Sequence, residues 1–321
     1  MTKYVMKRLI IGLIAVVLSV AINFVLIRVA PGDPITIMAG MDNPNQEMID
    51  HLISKYGLDK PILTQFGIYL SNIARGDFGY SYRNNQPVMS LIGQRLFPTF
   101  LMTFSAAILA LVIGSALGLA AARTRDSRMD RFFSSISYIF DAMPGFWLAL
   151  MLILLFASRL KWFPTMGMIN MRAGYTGWAH VLDVLYHLAL PVICLVLLNV
   201  PRYFRITRAA VLQVMSEDYI TLFRASGMNE KQIFRKFVLK NALLPTVTIF
   251  GLSLAGCFMG ASLIEIVFAW PGMGRLLLDA ITKRDYSVLS GVYFIFSMML
   301  VSATILVDVV CAALDPRIRL E

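Results

Sequence analysis

The chain is 321 residues long, 58% hydrophobic and only 15% charged, with a mean hydropathy of +0.70; these values exclude an ordinary soluble domain. A net charge of +10 would point to nucleic acid in a soluble protein. Here the positive residues cluster in short segments between apolar runs, so the basic balance reads as topogenic and gives no sign of nucleic-acid binding.

Six apolar runs are long enough to cross about 30 Å of hydrocarbon. They lie near residues 9–29, 97–122, 134–157, 185–200, 246–269 and 289–312. The expectation is an all-α integral membrane protein with six transmembrane helices. With the N-terminus inside, the inner segments hold 17 of the 29 Lys and Arg: Lys3, Lys7, Arg8, Arg123, Arg125, Arg128, Arg131, Arg317, Arg319 and eight between Arg202 and Lys240. Short inner segments this dense in cations place both termini in the cytoplasm. The first run has no small-x-small cleavage site before the turn at 31–34, so it reads as an uncleaved helix rather than a signal peptide. Three divisions result: residues 1–29, a small extracytoplasmic subdomain at 30–95, and a five-helix core at 96–321.

In the outer subdomain, PGDP (31–34) is turning or extended. Residues 45–56 pattern as a short amphipathic helix closed by Gly57, 61–74 as a second helix, and RGDFGYSY (75–82) as a packed loop. This subdomain is either a cap over the helices or a landing surface for a soluble partner. The second run carries Gly114 and Gly118, small enough for close helix approach. The third breaks at Met143-Pro144-Gly145, with Asp141 just before the break. An intramembrane carboxylate serves either interhelical hydrogen bonding or a passing substrate, so Asp141 and Pro144 are candidate path residues. The fourth run is predicted to end at Pro201-Arg202. His180 and His187 read as interface residues within the outer loop that also carries Trp162, Phe163, Tyr175 and Trp178. The fifth run ends with Glu265, a third path candidate near the outer leaflet. Trp270 of AWPGMGR (269–275) suits the interfacial zone, ahead of a short helix. Asp308, in the sixth run, is a weaker candidate. Cys194, Cys257 and Cys311 lie inside apolar runs at no metal-knuckle spacing and read as buried structural thiols.

The segment from Pro201 to Pro245 organises the rest. Eight cations (Arg202, Arg205, Arg208, Arg224, Lys231, Arg235, Lys236 and Lys240) face three acids. Apolar residues recur at helical spacing on both sides of Gly227, and Asn229 stands as an N-cap for the second helix. Such a helix–Gly–helix pair is either an interfacial hairpin resting on lipid headgroups or a docking site for a partner.

No P-loop, H-E-x-x-H or G-x-S-x-G motif and no metal-spaced cluster occurs in the sequence, which argues against an active site. Several stretches together resemble the dipeptide/oligopeptide/nickel permease family of ABC importers, on the side of its first (B-type) permease. They are PGDP (31–34), YGLDKP (56–61), GDFGYSY (76–82), EDYITLFRASG (217–227), LKNALLP (239–245), EIVFAWPGMGRLLLDAI (265–281), RDY (284–286) and DPRIR (315–319). Two departures stand out. Where the general importer loop carries Glu-Ala-Ala six to four residues before its glycine, this chain has Thr221-Leu222-Phe223; Leu-Pro comes later than in the general loop, at Leu244-Pro245, as the resemblance to this subfamily implies.

The resemblance implies an ATPase-coupling role for the loop around Glu217, Asp218, Tyr219, Arg224, Ala225, Ser226, Gly227 and Met228. It also implies a second homologous permease, two cytoplasmic ATPase subunits, an extracytoplasmic solute-binding protein and a bacterial cell membrane around the chain. ATP and Mg2+ are expected on the ATPases, with no cofactor, metal or catalytic residue here. Peptide uptake is the leading reading, uptake of nickel or a metal chelate the alternative within the family, and a stand-alone secondary transporter the reading from a different class.

Overall fold

The computed structural model describes residues 2–29, 53–54, 57, 59–81 and 83–314. The turn at 31–34, most of the helix expected over 45–56, the side chains of Asp308 and Cys311, and the stretch 315–319 lie outside the described residues. The chain forms two compact units: Met1–Thr99 with Phe258–Ser262 and Pro271–Glu321, and Phe100–Cys257 with Leu263–Trp270. The C-terminal segment thus groups with the N-terminal one instead of with the core that precedes it.

In the first unit, helix α1 (Thr2–Val29) lies along the C-terminal helix (Tyr286–Leu314). Gly12 permits the approach, since a Cβ there would sit 2.6 Å from Val301 Cγ1. Ser19 and Ser297 hydroxyls join at 2.6 Å. Helix α2 (Ile62–Ala74) begins after Pro61, which suits a first turn that needs no N–H. It is pinned by Tyr69, whose hydroxyl accepts from Asn23 Nδ2 at 3.1 Å and bonds Ser290. Burial pushes the Tyr69 phenol up, and the Ser290 and Asn23 hydrogen bonds offset part of that. The 75–82 loop packs as expected through buried Phe78, with Gly76 and Gly79 at positive φ. Its end forms strand β1 (Tyr80–Ser81), antiparallel to β2 (Gln86–Pro87).

The second unit starts within α3 (Val88–Arg123), which runs on from the first. There follow α4 (Arg128–Ala142), α5 (Gly145–Leu152) with a π-helical extension Ile153–Arg159, and α6 (Gly177–Met215). After these come α7 (Asp218–Ala225), α8 (Glu230–Ile233), a π-helical turn Phe234–Val238, α9 (Leu239–Gly256) and the short α10 (Ser262–Val267). Back in the first unit, α11 (Met273–Lys283) is the short helix expected after the Trp-Pro-Gly turn, and α12 is the C-terminal helix.

Among the described residues, five helices are long and apolar enough to cross a membrane, and six if α4 and the 145–159 helix count as one bent crossing. The third run breaks where expected, turning by 103°. Two boundaries differ from the sequence reading, at the fourth and fifth runs. The fourth does not stop at Pro201, because α6 continues through Pro191 and Pro201 to Met215. The fifth ends at Gly256; Gly260, at φ +79°, lies in the gap before α10. Trp270 is no interfacial anchor within this chain: it is fully buried, and its backbone N–H donates to the Glu265 carbonyl at 2.8 Å.

Candidate functional site

The 201–245 segment folds as a hairpin carried on two helices long enough to span. Its apolar side closes a core of Ala122, Val211, Ile220, Ile233, Val238 and Ala242, against which Phe223 and Phe237 pack with ring centroids 4.2 Å apart and planes tilted by 32°. Asp218 sits in the first turn of α7, where a carboxylate complements the helix dipole, and Glu217 precedes it at the N-cap. The helix ends in a Schellman closure: Gly227 N–H donates to Arg224 O at 3.0 Å and Met228 N–H to Phe223 O at 3.1 Å. Met228 and Phe223 both pack on the same core, the apolar contact this motif favours. Gly227 is needed for its φ of +78° and not for space, since nothing lies within 4 Å of a Cβ built there. Asn229 caps α8 as expected, its Oδ1 accepting from Lys231 N–H at 2.9 Å.

Two side-chain ties hold the turn to itself: Arg224 Nε to Glu230 Oε1 at 2.6 Å, and Asn241 Nδ2 to the Tyr219 hydroxyl at 3.3 Å. Arg123 lies over the Phe234 ring at 3.8 Å. The other side of α7 is open. Leu222 is 66% exposed, and Thr221, Ala225 and Ser226 beside it are exposed as well. Leu222 is thus one large apolar side chain among small ones on the open side.

Away from the hairpin, Asp141 closes α4 in an ion pair with Arg205, Oδ2 to Nη1 at 2.7 Å and Oδ1 to Nη2 at 3.2 Å. Pro144 starts α5 in extended geometry, and Gly145 lets that helix begin against Leu198. Glu265 is fully buried. Of the three path candidates, Asp141 and Pro144 flank one break, and Glu265 is enclosed next to Ile264, whose Cδ1 lies 3.8 Å from a Cβ built at Gly145.

The sequence reading missed the strongest ion pair. Asp130, 3% exposed, receives both Arg208 Nε and Nη2 at 2.7 Å and also accepts from Asp126 N–H at 3.1 Å. A signal existed: Asp130 and Asp141 are three helical turns apart on one helix, and Arg205 and Arg208 one turn apart on another. His187 pairs with Asp183 at 3.3 Å, and among the described residues no group of three or more His, Cys, Asp or Glu could hold a metal.

Long apolar helices interrupted by a basic hairpin, half buried in its own chain and half open, define a multi-pass membrane protein. The comparisons carry this further. Residues 114–320 match the model described as binding-protein-dependent transport system inner membrane component, and residues 1–104 match its N-terminal companion. The chain therefore belongs to this family, the ABC importer permeases, on its dipeptide/oligopeptide branch. It is 36% identical over 322 residues to the oligopeptide transport system permease protein AppB of Bacillus subtilis (strain 168), covering 99% of this chain and 100% of that one. It is 35% identical over 320 residues to the glutathione transport system permease protein GsiC of Escherichia coli (strain K12), covering 99% of both. Among solved structures, an inward-facing MetNI methionine ABC transporter shares the fold, with a TM-score of 0.57 at 20% identity over 71% of this chain and 97% of that one.

Proposed function

We propose that this chain forms half of the path of an ATP-driven importer for di- or oligopeptides, with six crossings and both termini in the cytoplasm. A second homologous permease completes the path, two ATPase subunits dock through the hairpins, and a solute-binding protein delivers the peptide. ATP and Mg2+ reside on the ATPases, and this chain performs no catalysis. The peptide substrate rests on relatives that carry oligopeptide and glutathione transport in their names.

The observation that carries the docking role is the two-sided hairpin: one side sealed into the chain's core, the other offering Leu222 and its small neighbours. Closure of the ATPases around ATP would move α7, and α6 and α9, continuous with the hairpin, would carry that movement toward the break at Pro144. Asp141 and Arg205 there keep 47% and 37% of their side-chain surface exposed. A charged pair with open surface is costly against hydrocarbon, which favours a path-facing or permease-facing position.

The test is capture of the ATPases by the tagged chain co-expressed with its partner permease. Leu222→Asp should reduce recovered ATPase by roughly tenfold or more, the loss expected for an interface anchor, with membrane insertion unchanged. Undiminished capture by Leu222→Asp would remove α7 from the docking surface.

A further inference from the structure

Helix α6 is locked to α9 by hydroxyls in the turns just after Pro201. Thr207 and Thr246 are 0% and 1% exposed, and their Oγ1 atoms lie 2.9 Å apart. One turn toward Pro201, the Tyr203 hydroxyl donates to Ser253 Oγ at 3.1 Å, while Ser253 donates its own hydrogen to Ile249 O at 3.0 Å. One turn toward the hairpin, Val211 and Ala242 are buried in the core that also holds Ile220 of α7. Going from Thr207 back four residues along α6 to Tyr203 goes seven residues forward along α9, from Thr246 to Ser253, a gap the long tyrosine spans; the antiparallel course ends in the hairpin's own core at Val211 and Ala242.

The same stretch of α6 is held by α3. A Cβ at Gly118 would stand 2.7 Å from Phe204 O and 3.0 Å from Thr207 Cβ; one at Gly114 would stand 2.7 Å from Tyr203 Cβ and 2.8 Å from Val200 O. Two glycines one turn apart let the α3 backbone lie directly on residues 200–208. Apolar packing alone would hold these helices together but let them slide, because apolar contacts have no direction. Buried hydroxyl pairs fix the register, since each loses its bond when the helices shift by a fraction of a turn.

We propose that the Thr207–Thr246 and Tyr203–Ser253 pairs are the transmission element of the permease. They make the lower half of α6, the hairpin and α9 one body, so displacement of α7 reaches the helices unattenuated. These four are positioning residues, acting through helix register without touching peptide or nucleotide. The inference rests on the importer reading above and names where its coupling resides.

The experiment uses the full complex in liposomes, measuring ATP hydrolysed per substrate imported, alongside melting of the detergent-purified complex. Thr207→Val and Thr246→Val keep shape and lose the bond; Thr246→Ser keeps the hydroxyl. The double valine variant should raise ATP used per substrate by roughly three- to tenfold, the range one lost buried hydrogen bond supports. Its melting should stay close to that of the parent, and Thr246→Ser with Thr207 intact should keep the parent ratio where Thr246→Val raises it. An unchanged ratio in the double valine variant overturns the proposal. So does a raised ratio that simply follows a lowered melting point and is shared by Thr246→Ser, which would leave the hydroxyls with a packing role only. A wild-type complex whose ATP hydrolysis does not drive uptake would overturn the importer reading and this inference together.

Discussion

Pro144 and Pro201 each fall in a long helical segment of the second unit, yet the chain turns by 103° at the first and stays helical through the second. Both prolines remove a helix hydrogen bond and crowd the preceding turn, a cost of about 3 kcal/mol in a helix interior. The difference lies in the neighbours. Met143 adopts extended geometry (φ −76°, ψ 131°), the conformation that a following proline favours, and Gly145 starts a new helix against Leu198. Pro201 is followed by Tyr203 and Phe204, each 2% exposed, and by the Thr207, Arg205 and Arg208 contacts to two other helices. Packing on several faces offsets what the missing bond costs, and the helix continues. At Pro144 the extended Met143 and the fresh helix start at Gly145 leave the chain to bend.

If that account holds, loosening the contacts beyond Pro201 should cost far more than loosening those at the break. Arg208→Ala has the largest expected effect. It leaves the Asp130 carboxylate buried without its bidentate partner, a loss of about 3 kcal/mol, the lower end for a buried pair because Arg208 keeps some exposure. Melting of the purified complex should fall by about 5–10 °C. The double replacement Asp130→Leu with Arg208→Met should recover most of it, and failure to do so would mean the pair fixes geometry beyond its charge balance. Next is Gly118→Ala, whose new methyl meets the Phe204 carbonyl, a backbone atom that cannot turn aside. Roughly 1–3 kcal/mol is expected. Gly256→Ala, with nothing within 4 Å, is the matched control and should be silent. Equal effects at the two glycines would refute the close seating of α3 on α6.

The sequence carried the features that depend on local chemistry. Hydropathy alone located most of the crossings, the Asn229 cap follows from its residue type, and Gly227 could be placed at a helix end because a left-handed position favours glycine. Gly114 and Gly118 were legible as small residues, but not their partner, because helix pairing is a long-range choice. The same holds for Thr207 and Thr246: a hydroxyl in an apolar run can equally bond its own helix, as Thr248 and Thr304 do. Pro201 misled because a proline next to an arginine resembles a helix end, and the packing that overrides it comes from residues far away in sequence, such as Asp130, 78 positions from its partner Arg208. Trp270 misled similarly: the residue type suits a membrane interface, and only the folded chain shows it enclosed.

The smallest effect is expected at the break itself, and it bears most directly on the path. Asp141 and Arg205 are joined by an ion pair and one hydrogen bond, against two hydrogen bonds for Asp130 and Arg208, and both side chains are more than a third exposed. If water reaches them in the assembled importer, Asp141→Asn should cost only about 0.2–1 kcal/mol, as for solvent-exposed pairs. The shift in melting would then be barely resolved, and uptake should fall more than stability does, because the variant alters the charge a passing peptide meets. If the second permease covers the pair instead, the same replacement leaves Arg205 buried without its partner. Melting should then fall nearly as far as for Arg208→Ala, and uptake should fall in proportion. A large melting loss would therefore move Asp141 from the path to the permease–permease contact. A small one, with impaired uptake, would place the bend at Pro144 along the route of the substrate.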